Sequence, residues 1–384
     1  MFSIFKTFFL LGWVSFGGPA AHIGYFRNTF VEKLKWLSEE EYAQIVALSQ
    51  FLPGPGSSQV GFAIGYRKGG ITGATAAFLG FTLPSILLML GLAILSSQLT
   101  DSSLFQNVIH GLKLLAVVVV ADATIGMYRN FCQHKITIAL CVATAMALLL
   151  FPNLYTQMVV LVVAALIGQA FLKGQPKEND TSHPIQINWM PLIAFAALLI
   201  GLPIAGNLMK EIQLFSDFFQ AGSLVFGGGH VVLPLLQNIV GEQISQDAFL
   251  TGYAAAQAVP GPMFTFATYI GYELLPTSPV VGALLATIAV FLPGFLLLLA
   301  VLNNWQELAS KPKLAGAVAG VNASVVGLLL AALYQPVFTS GVLMGADMAV
   351  VLAGFYLLKQ RKLPIITLVA FFIAAGIFLG QLMP

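Results

Sequence analysis

A few residues in this chain have the chemistry to hold or move an ion, and all of them lie in apolar surroundings. Lys113 sits in Gly111-Leu112-Lys113-Leu114-Leu115, inside an apolar run over 104–128. A charge near the centre of a bilayer costs at least roughly 2.5–3.5 kcal/mol, so such a cation has a partner or a task. One task is counter-charge to an anion; the plain alternative is a long side chain reaching back to the interface. His110 falls one turn earlier on the same helical face. Asp122, nine positions on, falls on the opposite face. It is a candidate proton carrier or the ion-pair partner of another helix. His22 and His230 follow glycine-rich turns. A histidine titrates near neutral pH, which suits a proton shuttle, although a helix-end hydrogen bond would explain either one as well.

The backbone supplies a second kind of chemistry. Gln50-Phe51-Leu52-Pro53-Gly54-Pro55 returns as Gln257-Ala258-Val259-Pro260-Gly261-Pro262. Proline removes a backbone donor and pushes the residue before it out of the helical region, so each Pro-Gly-Pro breaks a helix. Backbone groups freed in lipid must face protein or a wet cavity. The half-helix after each break presents unpaired N–H groups and a positive pole, which suit an anion. Ser57, Ser58 and Gln59 stand in the first turn after one break, and Thr265 after the other. Gln50 and Gln257 precede the breaks as further donors. A second pair of interruptions is Phe16-Gly17-Gly18-Pro19 and Phe226-Gly227-Gly228-Gly229. Glycine pairs permit unusual backbone angles and the close approach of a ligand or of another helix. Asn322, in Gly320-Val321-Asn322, aligns with Lys113 through Gly111 and Gly320, placing a polar residue at matching positions.

These residues must be carried by membrane-spanning helices. The chain is 58% hydrophobic and 8% charged, where a soluble domain carries about 25% charged residues. A crossing needs about 20 apolar residues. The spacing predicts spans near 4–26, 42–66, 71–98, 104–128, 136–152 and 154–172, then 190–208, then 214–236, 248–272, 277–302, 314–335, 340–358 and 364–383. That is an all-α polytopic protein of about thirteen segments, with the first helix of each repeat either spanning or re-entrant. Residues 1–172 form one transporter repeat, 173–209 a linker with a connecting helix, and 210–384 the second repeat. With all thirteen crossing and the N-terminus in the cytoplasm, twelve Lys/Arg fall inside and four outside (Arg27, Lys33, Lys35, Lys210). This obeys the positive-inside rule and puts the C-terminus outside. The odd count makes the repeats inverted, and matched Gly/Pro interruptions in inverted repeats mark the binding site of a secondary transporter. The N-terminus reads as a retained helix, not a signal peptide.

The two cysteines, Cys132 and Cys141, make no CxxC motif. No phosphate-binding loop, metal-ligand spacing or nucleophile elbow occurs. The expectation is no enzyme activity, no metal and no cofactor. The partners expected are an inorganic oxyanion and the bilayer, not nucleic acid; a homodimer fits such carriers, but no motif demands one.

The ordered set of blocks resembles the chromate ion transporter family in its long, two-domain form. The first copy carries Phe16-Gly17-Gly18-Pro19 with His22, Gln50 through Pro55, Ile64-Gly65-Tyr66 and Phe81-Thr82-Leu83-Pro84-Ser85. The second carries Phe226-Gly227-Gly228-Gly229-His230, Gln257 through Pro262, Ile270-Gly271-Tyr272 and Phe291-Leu292-Pro293. The second copy departs in having Gly229 where the first has Pro19, and it lacks the Arg67-Lys68 pair. The resemblance implies export of chromate across an inner membrane, conferring chromate resistance, with sulfate as the close analogue and the proton-motive force as driver. The expected first shell is Lys113, Gln50, Ser57, Gln257 and the backbone at Gly17-Gly18, Pro53-Gly54-Pro55, Gly227-Gly228 and Pro260-Gly261-Pro262, with Asn322 as the repeat-related polar residue. Asp122, His22 and His230 are the proton-coupling candidates. A carrier of sulfate or another inorganic anion would share this architecture.

Overall fold

The computed structural model describes residues 1–16, 18–99, 102–172, 187–226, 232–240, 243–302 and 311–382, and its regular structure among them is helical throughout. Gly17, Gly227, Gly228 and His230 lie outside the described residues.

Local chemistry sets where helices begin. Helix α1 is Phe2–Val14 and α2 is Gly18–Phe26, which runs into a π-turn, Arg27–Lys33. Helix α3, Glu39–Phe51, starts at a capping box in which the Ser38 hydroxyl accepts from Glu41 N–H and the Glu41 carboxylate accepts from Ser38 N–H. Arg27 binds Glu32 and Glu39 beside this start, and its hydrogen bond holds the Glu39 carboxyl below the usual range. The run Gly56–Leu99, α4, is two arms, because Gly69 and Gly70 are non-helical and Gly70 takes φ 62. Helices α5 (Ser103–Phe131), α6 (Lys135–Leu150) and α7 (Leu154–Phe171) complete the first repeat, with Ser102 and Asn153 capping α5 and α7. Helix α8 is Trp189–Ala205. The second repeat has α9 (Lys210–Ser223), α10 (Val232–Val240), α11 (Gln246–Ala258), α12 (Phe266–Leu274), α13 (Pro279–Val301), α14 (Pro312–Ala332), α15 (Gly345–Lys359) and α16 (Ile365–Leu382).

The stretches 4–26 and 42–66, expected as single spans, are each two short helices folded back on one another. Phe8 of α1 stacks on Phe30 at 4.7 Å and meets Phe26 edge-on, so α2 returns beside α1. Trp36, just before α3, lies under the Lys68 ammonium at the end of the first arm of α4, 5.4 Å from the ring centre. The α3 start and the end of that arm are therefore level, and the chain has turned at Pro53–Pro55. At thirteen residues, α1 and α3 reach about 20 Å each, short of the roughly 30 Å hydrocarbon core. In the second repeat Gly252 of α11 packs on the Tyr269 ring of α12, so that pair is a hairpin as well.

After each hairpin pair comes a long helix. The second arm of α4 runs beside α1, with Gly12 against Phe81 and Pro84. The same contact recurs one repeat later, Gly222 of α9 against Val290 and Pro293 of α13. The repeats are interlocked through their other helices. Gly111 of α5 meets the Phe372 carbonyl and Gly376 of α16, while Gly320 of α14 meets the Ala164 carbonyl and Gly168 of α7. These glycines have no room for a β-carbon, and small residues at helix crossings let backbones approach as membrane proteins require. The connecting helix α8 carries no buried residue, and its side chains are the apolar set expected against lipid.

Candidate functional site

The hairpin tips meet at the centre of the molecule. Gly54 N–H donates to the Val225 carbonyl at 2.7 Å, and Gly261 N–H donates to the Ser15 carbonyl at 2.8 Å. Each Pro-Gly-Pro thus ties to the other repeat's first break. Both glycines need positive φ, +124° and +98°. A β-carbon on Gly54 would fall 2.8 Å from Gly294 Cα, and one on Gly261 would fall 2.8 Å from Ser85 Oγ. Gln59 reinforces the crossing, donating from Nε2 to Pro53 O at 2.9 Å and to Gly294 O at 3.1 Å.

A cavity of about 290 Å³ ends on these tips. Its walls include Gly18 from one break and Gln257 and Gly261 from another, Asp122 of α5, and Leu358 and Leu363 where α15 turns to α16. Asp122 is ion-paired with Lys359. A second cavity of about 70 Å³ is lined by Leu148, Leu328, Ala331 and Ala332, the repeat-related counterparts of Leu358, Val119, Asp122 and Ala123. One scaffold therefore holds two equivalent clefts, one roomy with Asp122 in its wall, the other small with Gln237 and Gln335 in its wall.

Behind the larger cavity lies a buried polar cluster from the first repeat alone. His22 is fully buried, with Nδ1 3.2 Å from Ser57 Oγ, Nε2 3.2 Å from the Ser15 carbonyl, and its ring edge-on to Phe81. The carbonyl can only accept, so Nε2 carries the proton. With the imidazole neutral, Nδ1 is bare and Ser57 O–H donates to it. The hydroxyls of Ser15, Ser58 and Thr82 and the Gln59 Oε1 are buried without a hydrogen-bond partner. Each such group costs about 1–3 kcal/mol if nothing ever satisfies it.

The expected first shell is only partly assembled. Gly18, Gly54, Pro55, Gly261, Gln257 and Ser57 lie at or beside the crossed tips, and Pro53 is bonded there through Gln59. Gln50 approaches Gly56, and Gln257 donates weakly to Met263 Sδ at 3.6 Å. Pro260 and Pro262 bracket Gly261, with Thr265 Oγ1 donating to Pro262 O. Lys113 stands apart, contrary to its expected place in the shell. Its Nζ is 2.5 Å from Asp247 at the start of α11. That is fourteen residues from Gly261, about 20 Å along the helix. Its charge is met by a carboxylate away from the breaks. Its neighbour His110 pairs in the same way with Asp347 of α15 at 2.7 Å. Asn322 is buried in α14 with Oδ1 unpartnered, and it does not line the larger cavity. Ser15 and Thr82 were not singled out from the sequence. The signal was available in a residue-by-residue comparison of the repeats, which places Val225 and Phe291 opposite them.

Broken helices tied tip to tip, with a cavity leading to them, suit a membrane transporter. The chain belongs to the chromate transporter family, whose model matches residues 2–169 and again 212–379. It is 30% identical over 341 residues to an uncharacterised transporter of Methanocaldococcus jannaschii, covering 86% of this chain and 82% of that one. It is 27% identical over 359 residues to a chromate transport protein of Cupriavidus metallidurans, covering 93% and 87%. A chromate transport protein of Pseudomonas aeruginosa is 28% identical over 340 residues, covering 86% and 78%. No solved structure matches the chain.

Proposed function

We propose that this protein is a secondary transporter that exports chromate, a tetrahedral dianion, from the cytoplasm across the inner membrane. The observation that carries this reading is the cavity ending on Gly18 and Gly261, within the repeats that the chromate transporter model matches. The two repeat-related clefts, about 290 and 70 Å³, support an alternating-access reading in which one is expanded while its counterpart is contracted. Rocking one repeat against the other would exchange them.

The topology we propose has nine crossings: the second arm of α4, then α5, α6, α7, α8, α13, α14, α15 and α16. The α1–α2, α3–α4, α9–α10 and α11–α12 pairs are re-entrant. Of the fifteen Lys/Arg among the described residues (seventeen less Lys173 and Lys177), thirteen then share the N-terminal face, Lys210 takes the other, and Lys113 lies within α5. Arg27, Lys33 and Lys35 move to the inner side, the reverse of what thirteen crossings give. This charge bias supports a cytoplasmic N-terminus, an external C-terminus and inverted repeats. The larger cavity, beside Lys359 and Leu363, then opens to the cytoplasm.

Energetics suit export. An inside-negative potential contributes about 2.3 kcal/mol per charge per 100 mV, roughly twice that for a dianion leaving alone. Proton coupling is not required by that arithmetic; Asp122 and His22 are the described groups placed to serve it. Radiolabelled chromate flux in proteoliposomes, with potential and pH gradient imposed separately and sulfate as competitor, tests the reading. Electrogenic efflux competed by sulfate is expected. Absence of flux under every gradient would remove the assignment, and accumulation against the potential would favour an anion importer instead.

A further inference from the structure

The two repeats share a backbone at the crossed tips but not a chemistry. Ser15, His22, Ser57, Gln59 and Thr82 of the first repeat correspond to Val225, Val232, Phe264, Phe266 and Phe291 of the second. All ten are buried to at least nine-tenths. At these five positions the second repeat is apolar, so the fold itself does not need hydroxyls or an imidazole there; Ser58 alone is matched by a hydroxyl, that of Thr265, which donates to Pro262 O. The first repeat keeps three buried hydroxyls, on Ser15, Ser58 and Thr82, with no protein partner. Ser58 lies in the first turn of an arm of α4 whose leading N–H groups have no partner within the helix. Ser15 ends the hairpin arm that His22 and Gly261 both touch through its carbonyl. Thr82 follows Phe81, whose ring covers His22, and its carbonyl accepts from Ser85 beside Gly261.

From this asymmetry, and resting on the oxyanion reading above, we infer that the first repeat holds an anion site that the described residues of the second repeat do not duplicate. Its ligands are the hydroxyls of Ser15, Ser58 and Thr82 together with the free N–H groups that open α4. Among the described residues no full positive charge is free to enter the site from α5 or α15: Lys113 is paired with Asp247, and Lys359 with Asp122. A small tetrahedral oxyanion is therefore held by neutral donors and the helix pole. Ser57 is not a ligand, because its proton is committed to His22. His22 is a positioning residue that fixes Ser57 and the tip of α1.

The test is equilibrium binding of radiolabelled sulfate and of chromate to the full-length protein in nanodiscs. Loss of one donor to a charged ligand weakens binding by about tenfold or more, so Ser58→Ala, Thr82→Val and Ser15→Ala should each do so, with Thr82→Ser restoring much of the loss. Thr265→Val, in the second repeat, should stay within about threefold of the parent. Removing an unpartnered buried hydroxyl does not weaken the resting fold, so the ligand-free Tm of the first three variants should be unchanged or raised. Parent binding with unchanged affinity in Ser58→Ala, Thr82→Val and Ser15→Ala would overturn the one-sided site while leaving the oxyanion reading intact. A larger loss in Ser57→Ala than in Ser58→Ala would overturn the donor assignment. No binding of either anion by the parent protein would remove both.

Discussion

The two repeats separate scaffold from function within one chain. Their crossed tips are alike to the individual hydrogen bond: Gly54 reaches Val225, and Gly261 reaches Ser15. Their packing glycines are alike too, Gly65 on Gly73 and Gly271 on Gly282. Apart from Ser58 and its counterpart Thr265, the side chains compared around those tips differ in kind, polar in the first repeat and aromatic or branched in the second. Where both copies agree, the residue serves the fold that both must build. Where they diverge at full burial, the more costly polar choice has another purpose.

The comparison breaks most severely if the tips are changed. Gly54→Ala and Gly261→Ala each add a β-carbon in a left-handed conformation against a close neighbour, at about 2–4 kcal/mol. Both should abolish chromate flux and lower Tm by similar amounts in a thermal-shift assay. A large effect in one and none in the other would end the symmetry argument. Next is Gln59→Phe, which gives the first repeat the residue that the second holds at position 266. It removes the bonds to Pro53 and Gly294 and should cut initial flux by at least about tenfold. The ion pair on α5 gives a smaller, directional effect. Asp247 is 77% exposed while Lys113 is 11% exposed. Asp247→Ala leaves a buried, unpaired ammonium, whereas Lys113→Ala leaves a solvated carboxylate. Asp247→Ala should therefore lower Tm more, and Lys113→Ala should change chromate KM by less than about threefold. A large KM rise in Lys113→Ala would return that lysine to the site. Smallest in energy is a pair of labels, Leu148→Cys and Leu358→Cys, at equivalent positions in the small and large clefts. A polar maleimide should modify the second much faster, and from the cytoplasmic face only, since the native Cys132 and Cys141 are buried.

Much of this was legible in the residues. Paired Pro-Gly-Pro blocks announce the breaks, because proline and glycine act on their own backbone and need no distant information. The apolar composition announces the membrane in the same local way. Residues 4–26 and 42–66 could not be told from full spans by length and hydropathy, because a folded hairpin and a straight helix have the same composition. The fate of Lys113 was not local at all. Its partner Asp247 lies 134 positions away, and only the packing of α5 against α11 brings them together. The buried hydroxyls were hidden for another reason: serine and threonine are ordinary in membrane helices, and their meaning emerges only against the apolar copy.

The interlocking of α5 with α16 has a consequence for how the chain is made. Gly111 of α5 docks on Phe372 and Gly376, 261 and 265 residues further along. At about 5–20 residues per second, the ribosome delivers that partner on the order of 10–50 s after α5 has entered the bilayer. During that interval the glycine face of α5 has only lipid or the insertion machinery to cover it. The α5 seam is therefore among the last contacts the chain can close.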